Sequence, residues 1–275
     1  MKLFGNTCGS SFTNVIYIQT EKNYKEKIKM KYMGSKSRIK KNIVPILQRI
    51  IDEHNITTYV EPFVGGCNII DSIRCDKRIA NDISTPLIEL FKGLLNGKEL
   101  PLEINREHYS DVRKHKDDDT YEEWYKGMVG FLSSYNGRYF DGGYAGKVLT
   151  KTGKVRDYYD ESKRNIQAQI PFLKDVEFFN MDYRKLNIPT GSLIYCDIPY
   201  KNTKQYSANK DFNHEEFWQW VRDMSKNNIV IVSELQAPED FVVIWEQEVT
   251  RTQDNRKREK SIEKMFIYKD CEVIK

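Results

Sequence analysis

The chain has 275 residues, of which 39% are hydrophobic and 31% charged, and its formal net charge is +4. It contains no run of about 18 apolar residues, which argues against a membrane-spanning helix, and its five cysteines form no C-x-x-C pair, which disfavours a disulfide framework or a zinc site. We therefore expect a protein of a reducing, cytoplasmic compartment, without a metal and without a membrane partner.

The first 29 residues form a lysine-rich extension that has no apolar segment of signal-peptide length, so we expect no secretion. We hypothesise that Met30, which follows the extension, is an alternative start. Between Glu21 and Arg49, ten Lys or Arg residues outnumber two Glu residues. A second basic cluster lies near the C-terminus and comprises Arg251, Arg256, Lys257, Arg258, Lys260 and Lys264. Such clusters suit phosphate contact, although a solvated helix face explains the charge equally well.

Short β-branched or aromatic runs alternate with helical stretches along the chain, a pattern typical of βαβ units in a mainly parallel sheet. Strand patterns occur at 57–60, 78–81, 176–180, 192–197, 228–233, 241–245 and 264–269. Helical patterns occur at 38–54, 85–95 and 213–227. The last two strands have no helix between them and could form an antiparallel hairpin, although the polar linker TRTQDNRKREKS is long for a tight turn.

The alternation stops between residues 93 and 175, where charged residues, Tyr and Gly dominate. We interpret 93–175 as a smaller domain inserted into a catalytic domain formed by 30–92 and 176–275. Within the insert, TYEEWYKGMVGFLSSY has helical spacing of its aromatic residues. KVLTKTGKV has a Thr-Gly pair between two strand-like arms, which predicts a hairpin.

Two glycines follow the first predicted strand, in YVEPFVGGCNII. Gly65 and Gly66 allow a sharp turn and close approach of a ligand to the backbone, but they do not form a full G-x-G-x-x-G and can also be a plain connection. Asp82 ends the second strand, where a carboxylate can accept hydrogen bonds from both hydroxyls of a ribose. Alternatively, Asp82 caps the next helix, a role for which Ser84 or Thr85 is better suited.

The apolar run SLIYCD predicts a buried strand, and it ends in Asp197-Ile198-Pro199-Tyr200. Ligands of open α/β sheets bind outside the carboxyl ends of the strands, so these residues should lie in the site. Asp197 and the carbonyl of Ile198 can accept hydrogen bonds from an exocyclic amine. Pro199 fixes the turn and Tyr200 can stack on a planar base. Taken alone, such a tetrapeptide is more often a plain turn.

Four segments in order resemble the Dam-type DNA adenine-N6 methyltransferases. KYMGSKSRI resembles the N-terminal lysine motif of that family, YVEPFVGG its S-adenosylmethionine (SAM) loop, FFNMDY the segment near the cofactor adenine, and YCDIPY the catalytic D-P-P-Y. The resemblance implies a Rossmann-like SAM-dependent methyltransferase with a mainly parallel seven-stranded sheet. It also implies base flipping and direct in-line methyl transfer to adenine N6 in duplex DNA.

The resemblance further implies roles for individual residues. The catalytic group is Asp197, Ile198, Pro199 and Tyr200. The cofactor contacts are Tyr32, Gly34, Lys36, Pro62, Phe63, Gly65, Gly66, Asp82, Asp182, Tyr183 and Asp197. The insert becomes a target-recognition domain in which Asn136 and Arg138 are candidates for base contacts. The expected partner is double-stranded DNA, bound by a monomer or a weak dimer in a bacterial or phage-infected cell.

The sequence departs from the family pattern at two places. Ile198 stands where the family usually has Pro; because the chemistry needs a backbone carbonyl there, we expect activity to survive. Glu234, in Ser233-Glu234-Leu235, has no assigned role. Cytosine C5 methylation is disfavoured, since Cys196 should point away from the face that carries Asp197. Two alternatives stay open: methylation of RNA or of a small amine, and a non-catalytic DNA-binding protein with the SAM fold.

Overall fold

The computed structural model describes residues 30–150, 152–199, 212–254 and 257–271, and for 250–254 and 257–260 it describes the backbone alone. Several sequence predictions therefore lie outside the described residues. They concern the N-terminal extension 1–29, the stacking residue Tyr200, and the side chains of the C-terminal basic cluster other than Lys264.

Six α-helices occur in the described part of the chain: α1 Lys40–Glu53, α2 Thr85–Leu95, α3 Arg106–Lys114, α4 Glu123–Leu132, α5 Tyr158–Gln169 and α6 His214–Met224. The helical predictions that correspond to α1, α2, α4 and α6 are confirmed. The helices α3 and α5 were not predicted, because their sequences are largely polar and bury few apolar residues. Both begin at a side-chain cap, Asn105 in α3 and Asp157 in α5, whose oxygen accepts a hydrogen bond from a backbone N–H of the first turn.

Nine β-strands occur in the same ranges: β1 Thr58–Glu61, β2 Lys77–Asn81, β3 Lys147–Leu149, β4 Val155–Asp157, β5 Val176–Phe179, β6 Leu193–Asp197, β7 Ile229–Glu234, β8 Phe241–Asp254 and β9 Lys257–Tyr268. Seven of them form one sheet in the order β5-β2-β1-β6-β7-β9-β8. The strands from β5 to β7 are parallel, while β9 is antiparallel to both of its neighbours. The predicted α/β fold with a mainly parallel seven-stranded sheet is confirmed.

The hairpins of the chain are also observed. β3 and β4 pair antiparallel within the insert, as KVLTKTGKV predicts. β8 and β9 form the second hairpin, but the polar linker between the predicted strands is not a loop. It belongs largely to the two strands, so that part of the prediction was wrong. β9 pairs with β7 only over Lys264–Ile267, so Lys257–Glu263 extends past the end of β7.

The sheet separates two hydrophobic cores. One face packs buried side chains such as Tyr59 and Tyr195 against α1 to α5, and the other packs Ile194 and Cys196 against α6. Met128 of α4 and Ile166 of α5 are fully buried in the first of these cores. The helices of segment 93–175 therefore share the core of the main sheet. The division of the chain at 93 and 175 stays a prediction.

No helix in the described ranges is long and apolar enough to cross a bilayer.

Candidate active site

The candidate site lies at the carboxyl edge of the sheet, between β1 and β6. From these two neighbouring strands the chain progresses outward in opposite directions, to β2 and β5 on one side and to β7 on the other. In open α/β sheets, ligands bind at such a reversal of strand order. The loop 62–66 follows β1, and Asp197 is the last residue of β6. The two main predicted motifs therefore meet at one crevice.

Asp82 shapes the glycine loop. Its Oδ2 oxygen accepts a hydrogen bond from the backbone N–H of Gly65 at 3.0 Å, and its Oδ1 accepts from the N–H of Ser84 at 3.0 Å. Gly65 adopts a φ of +50°, a left-handed conformation that favours glycine. Burial raises the pKa of Asp82, while these N–H donors act in the opposite direction. Asp82 does not cap α2, since the residue at the N-cap position is Ser84.

Asn81 fastens the same loop to the segment after β5. Its Nδ2 donates to the carbonyls of Pro62 and Met181, both at 3.0 Å, and its Oδ1 accepts from the N–H of Met181 at 3.1 Å. The side chain is buried. Because one amide contacts both segments, Asn81 fixes the distance between two parts of the predicted cofactor site.

Tyr32 packs directly on the glycine turn. A Cβ atom at Gly65 would lie 2.9 Å from Cε1 of Tyr32, and one at Gly66 would lie 2.6 Å from its Cβ and 2.8 Å from Nδ2 of Asn68. Such approaches are too close for any side chain, so the two glycines are required for this packing. Gly34, which has a φ of +81°, turns the chain between Tyr32 and Lys36.

Lys36 reaches the end of β6. Its Nζ lies 2.7 Å from Oδ1 of Asp197 and 3.7 Å from Oε2 of Glu263. Burial raises the pKa of Asp197, the ammonium of Lys36 lowers it, and the carboxylates of Glu263 and Glu234 raise it. The ion pair joins the N-terminal lysine motif to the D-x-P-Y motif.

A second buried ion pair lies beneath the glycine loop. Lys40 contacts Asp71, and both side chains are buried.

Glu61, the last residue of β1, accepts a hydrogen bond from the hydroxyl of Tyr59 at 2.8 Å. Burial raises the pKa of Glu61 to about 8, so this carboxyl group is largely protonated at neutral pH.

The residues around Asp197 alternate between the two faces of the sheet. Cys196 is fully buried in the core under α6, and burial raises the pKa of its thiol well above the ordinary value. A buried neutral thiol is a poor nucleophile, and the predicted orientation of Cys196 is confirmed. Ile198 is buried in the same core, and Pro199 follows at the edge.

Aromatic residues cluster beside the loop that follows β1. The rings of Phe63 and Tyr183 lie 5.0 Å apart, and Tyr183 also contacts Trp220 at 5.1 Å. Burial raises the pKa of Tyr183 to about 12. Next to it, Oδ1 of Asp182 accepts from Nε of Arg184 at 2.8 Å, and this guanidinium lowers the pKa of Asp182. Asp182 is therefore ionised, and its carboxylate forms an ion pair with Arg184.

The two candidates for base contact lie close to the N-terminal motif. Asn136 is exposed and has a φ of +58°. The next residue, Gly137, packs so tightly that an added Cβ would lie 2.0 Å from the carbonyl oxygen of Lys31. Arg138 donates from Nε to the Met33 sulfur at 2.6 Å. The structure thus brings this turn of the insert beside the segment that carries Lys36.

Gln169, at the end of α5, is a buried connection that sequence reasoning missed. Its Nε2 donates to the carbonyls of Gly66 and Cys67, both at 3.0 Å, and to Oδ2 of Asp71 at 3.2 Å. Its Oε1 accepts from the N–H of Met30 at 3.1 Å. One amide therefore joins the insert, the glycine loop and the N-terminal segment. A glutamine in a polar helix gives no sequence signal for such a role.

Within the described ranges, no group of three or more His, Cys, Asp or Glu residues could hold a metal ion.

Comparison with known proteins identifies relatives of this chain. Residues 32–222 match the family model of the D12 class N6 adenine-specific DNA methyltransferases. The type II methyltransferase M.MjaIII of Methanocaldococcus jannaschii is 24% identical over 217 residues, which cover 68% of this chain and 74% of the relative. The modification methylase StsI of Streptococcus sanguinis is 23% identical over 216 residues, covering 70% of this chain but only 31% of that longer protein.

Likeness to a solved structure is more distant. The rRNA methyltransferase aviRa from Streptomyces viridochromogenes aligns with a TM-score of 0.33 and 9% identity, over 84% of this chain and 86% of that one. A similarity of this size carries no functional information.

Proposed function

The chain belongs to the D12 class of N6 adenine-specific DNA methyltransferases, and on that premise we propose that its crevice holds SAM beside an adenine flipped out of duplex DNA. The observation that carries the proposal is the carboxylate of Asp197, which stands at the strand-order reversal and is paired with Lys36. A flipped base can reach an edge of the sheet that a stacked base cannot.

The residues at the crevice suit SAM. The glycine turn leaves no room for a side chain beside Tyr32, and a loop of this kind brings backbone close to a ligand. Asp82 accepts two backbone N–H groups, and a carboxylate has lone pairs left for ribose hydroxyls. We assign the cofactor to a set of residues from four segments: Tyr32, Gly34, Lys36, Pro62, Phe63, Gly65, Gly66, Asp82, Asp182, Tyr183 and Asp197. When bound, SAM supplies an activated methyl group on its sulfonium.

Asp197 and Ile198 would activate the target amine. Lys36 bonds Oδ1 of Asp197, so Oδ2 can accept a hydrogen bond from the N6 amine while the carbonyl of Ile198 accepts a second. Two acceptors favour a more pyramidal nitrogen as positive charge develops on it in the transition state. Pro199 holds the turn after this carbonyl. The stacking role assigned to Tyr200 lies outside the described residues.

The insert would supply DNA recognition. Asn136 is exposed on a tight turn, and Arg138 lies against Met33, close to the segment that carries Lys36. Amide and guanidinium groups suit the hydrogen-bonding edges of bases. We therefore assign Asn136 and Arg138 to target contact, with the protein acting as a monomer or weak dimer in the cytoplasm. Because the relatives are named type II methyltransferases and a modification methylase, we assign this chain to DNA modification as well.

The function is tested by transfer of a tritiated methyl group from SAM. Plasmid DNA, RNA of similar length and small amines are offered in parallel, and modified bases in the plasmid are then sequenced. We expect label in duplex DNA, at N6 of adenine within one recognition sequence. Label in RNA or amines alone would contradict the proposal, and so would DNA binding without any transfer.

Replacing Asp82 with alanine should weaken SAM binding about 10- to 100-fold, since hydrogen bonds to a charged group contribute about 1.5–3 kcal/mol. Isothermal calorimetry with SAM measures the effect. Asp76→Ala is the matched control, because Asp76 is exposed at the opposite end of the same strand. An unchanged dissociation constant in Asp82→Ala would remove Asp82 from the cofactor site.

A further inference from the structure

We infer that Glu263 is a positioning residue for this methyl transfer: it holds the ammonium of Lys36 beside Asp197 and shares its charge, so that Asp197 remains a strong acceptor for the target amine. The inference rests on the proposed function. Glu263 lies on β9, far along the chain from both motifs, and no sequence pattern assigned it a role.

The three charged groups lie next to one another and differ in exposure. Nζ of Lys36 contacts both carboxylates, 2.7 Å from Oδ1 of Asp197 and 3.7 Å from Oε2 of Glu263. The side chains of Lys36 and Glu263 are only 6% and 7% exposed, whereas that of Asp197 is 24% exposed. Glu263 therefore acts on Lys36 from the buried side, and Asp197 is the member that a substrate can reach.

The strand register explains how β9 brings Glu263 to this position. Asp197 of β6 pairs with Ser233 of β7, and Ser233 pairs with Met265 of β9. Glu263 lies two residues from Met265 and so projects on the same face of the sheet. It lies just beyond the part of β9 that pairs with β7, at the carboxyl edge where Asp197 ends its own strand.

A purely structural role explains Glu263 poorly. Same-face neighbours on β9, Met265 and Ile267, are buried and apolar. Burying a carboxylate costs several kcal/mol, and apolar replacements of buried ion pairs are often neutral or stabilising. A carboxylate at this position is better explained by its effect on Lys36 and, through Lys36, on Asp197.

The electrostatic effect on Asp197 has a defined sign. Among the described residues, titratable groups that act on it come from the N-terminal segment and four strands: Tyr32, Lys36, Glu61, Tyr195, Cys196, Glu234 and Glu263. Among them, Lys36 lowers the pKa of Asp197 and Glu263 raises it. Without the charge of Glu263, the positive charge of Lys36 would act more strongly on Asp197. Asp197 would then hold its proton less tightly and be a weaker hydrogen-bond acceptor.

The test compares Glu263→Gln with the wild-type enzyme and with Glu246→Gln, an exposed carboxylate on the partner strand of the same hairpin. Tritium transfer to DNA gives kcat, KM and the pH dependence of kcat, and calorimetry gives SAM affinity. For Glu263→Gln we expect kcat to fall about tenfold, with KM for DNA and SAM affinity within about twofold. The acid limb of the kcat profile should move to lower pH. Glu246→Gln should match the wild type.

Several outcomes overturn the inference. If the acid limb of the kcat profile does not move, or if only thermal stability falls, Glu263 has a purely structural role. In the double variant, Lys36→Met should abolish any additional effect of Glu263→Gln on kcat. Losses in kcat that multiply across the two substitutions would therefore also contradict the inference. If Glu263→Gln does not fold, Glu263→Asp keeps the charge and should keep the wild-type acid limb; a shifted limb there counts against the inference. A wild type that methylates no adenine in DNA refutes the proposed function itself.

Discussion

The variant Asp197→Ala should lose methyl transfer by at least about 10²–10³-fold in kcat, the cost of removing one preorganised group that stabilises developing charge. The variant should still fold, because Asp197 lies at the edge of the sheet and its side chain is partly exposed. Lys36 would remain close to Glu263, so its buried ammonium would keep a carboxylate beside it. The effect should therefore fall on chemistry and leave the architecture unchanged.

Single-turnover tritium transfer at saturating SAM and DNA measures this loss. Thermal melting and DNA binding should stay close to the wild-type values. Asp223→Ala serves as control, since Asp223 is exposed on α6 and its carboxylate pairs with Lys226 at the surface. Transfer within about tenfold of the wild-type rate in Asp197→Ala would remove Asp197 from the reaction.

Replacing Asp71 with alanine should be the most destabilising single change at the site. Lys40 and Asp71 form an ion pair in which each side chain is only 2% exposed. Removal of one partner leaves a buried charge without compensation, which costs about 3–5 kcal/mol in the free energy of unfolding. The loss of Asp71 also removes one of the three acceptors of Nε2 of Gln169, so the glycine loop should loosen as well.

Urea denaturation followed by circular dichroism measures the change. Glu53→Ala is the control, because the pair of Arg49 and Glu53 is exposed and such pairs contribute less than about 1 kcal/mol. The double variant Lys40→Met/Asp71→Leu should regain much of the lost stability, since apolar residues of similar size avoid the buried charge. Equal stability of Asp71→Ala and the wild type would show that the pair is not buried in solution.

The parallel core of the sheet was predictable because buried strands such as β6 and β7 are continuous apolar runs between turn residues. The helices α3 and α5 were not, because they pack mainly by a few aromatic and aliphatic residues on otherwise charged surfaces. The outer half of the β8–β9 hairpin was missed for a related reason. Its strands are polar. Because this part of the hairpin extends past the end of β7, its sequence shows no alternation of apolar and polar residues.

At the site, the proximity of the motifs was predictable and the individual long-range contacts were not. The alternation of side chains along β6 correctly separated Cys196 from Asp197. The motifs placed Lys36 and Asp197 in one site, but not in one ion pair. Asn81, which bonds the glycine loop, and Glu263, which contacts Lys36, are polar residues buried only by tertiary packing. A single sequence carries no pattern for such contacts.

The hydrogen bonds of Gln169 have a consequence for the substrate. This amide joins α5 to the carbonyls of Gly66 and Cys67, and α5 also shares the main core through Ile166. Through these contacts, α5 and the glycine loop are held together by buried hydrogen bonds and a shared core. Under the proposed function, the bending and unstacking that extrude an adenine would then occur within the double helix. Flexible base steps beside the target would lower their energetic cost.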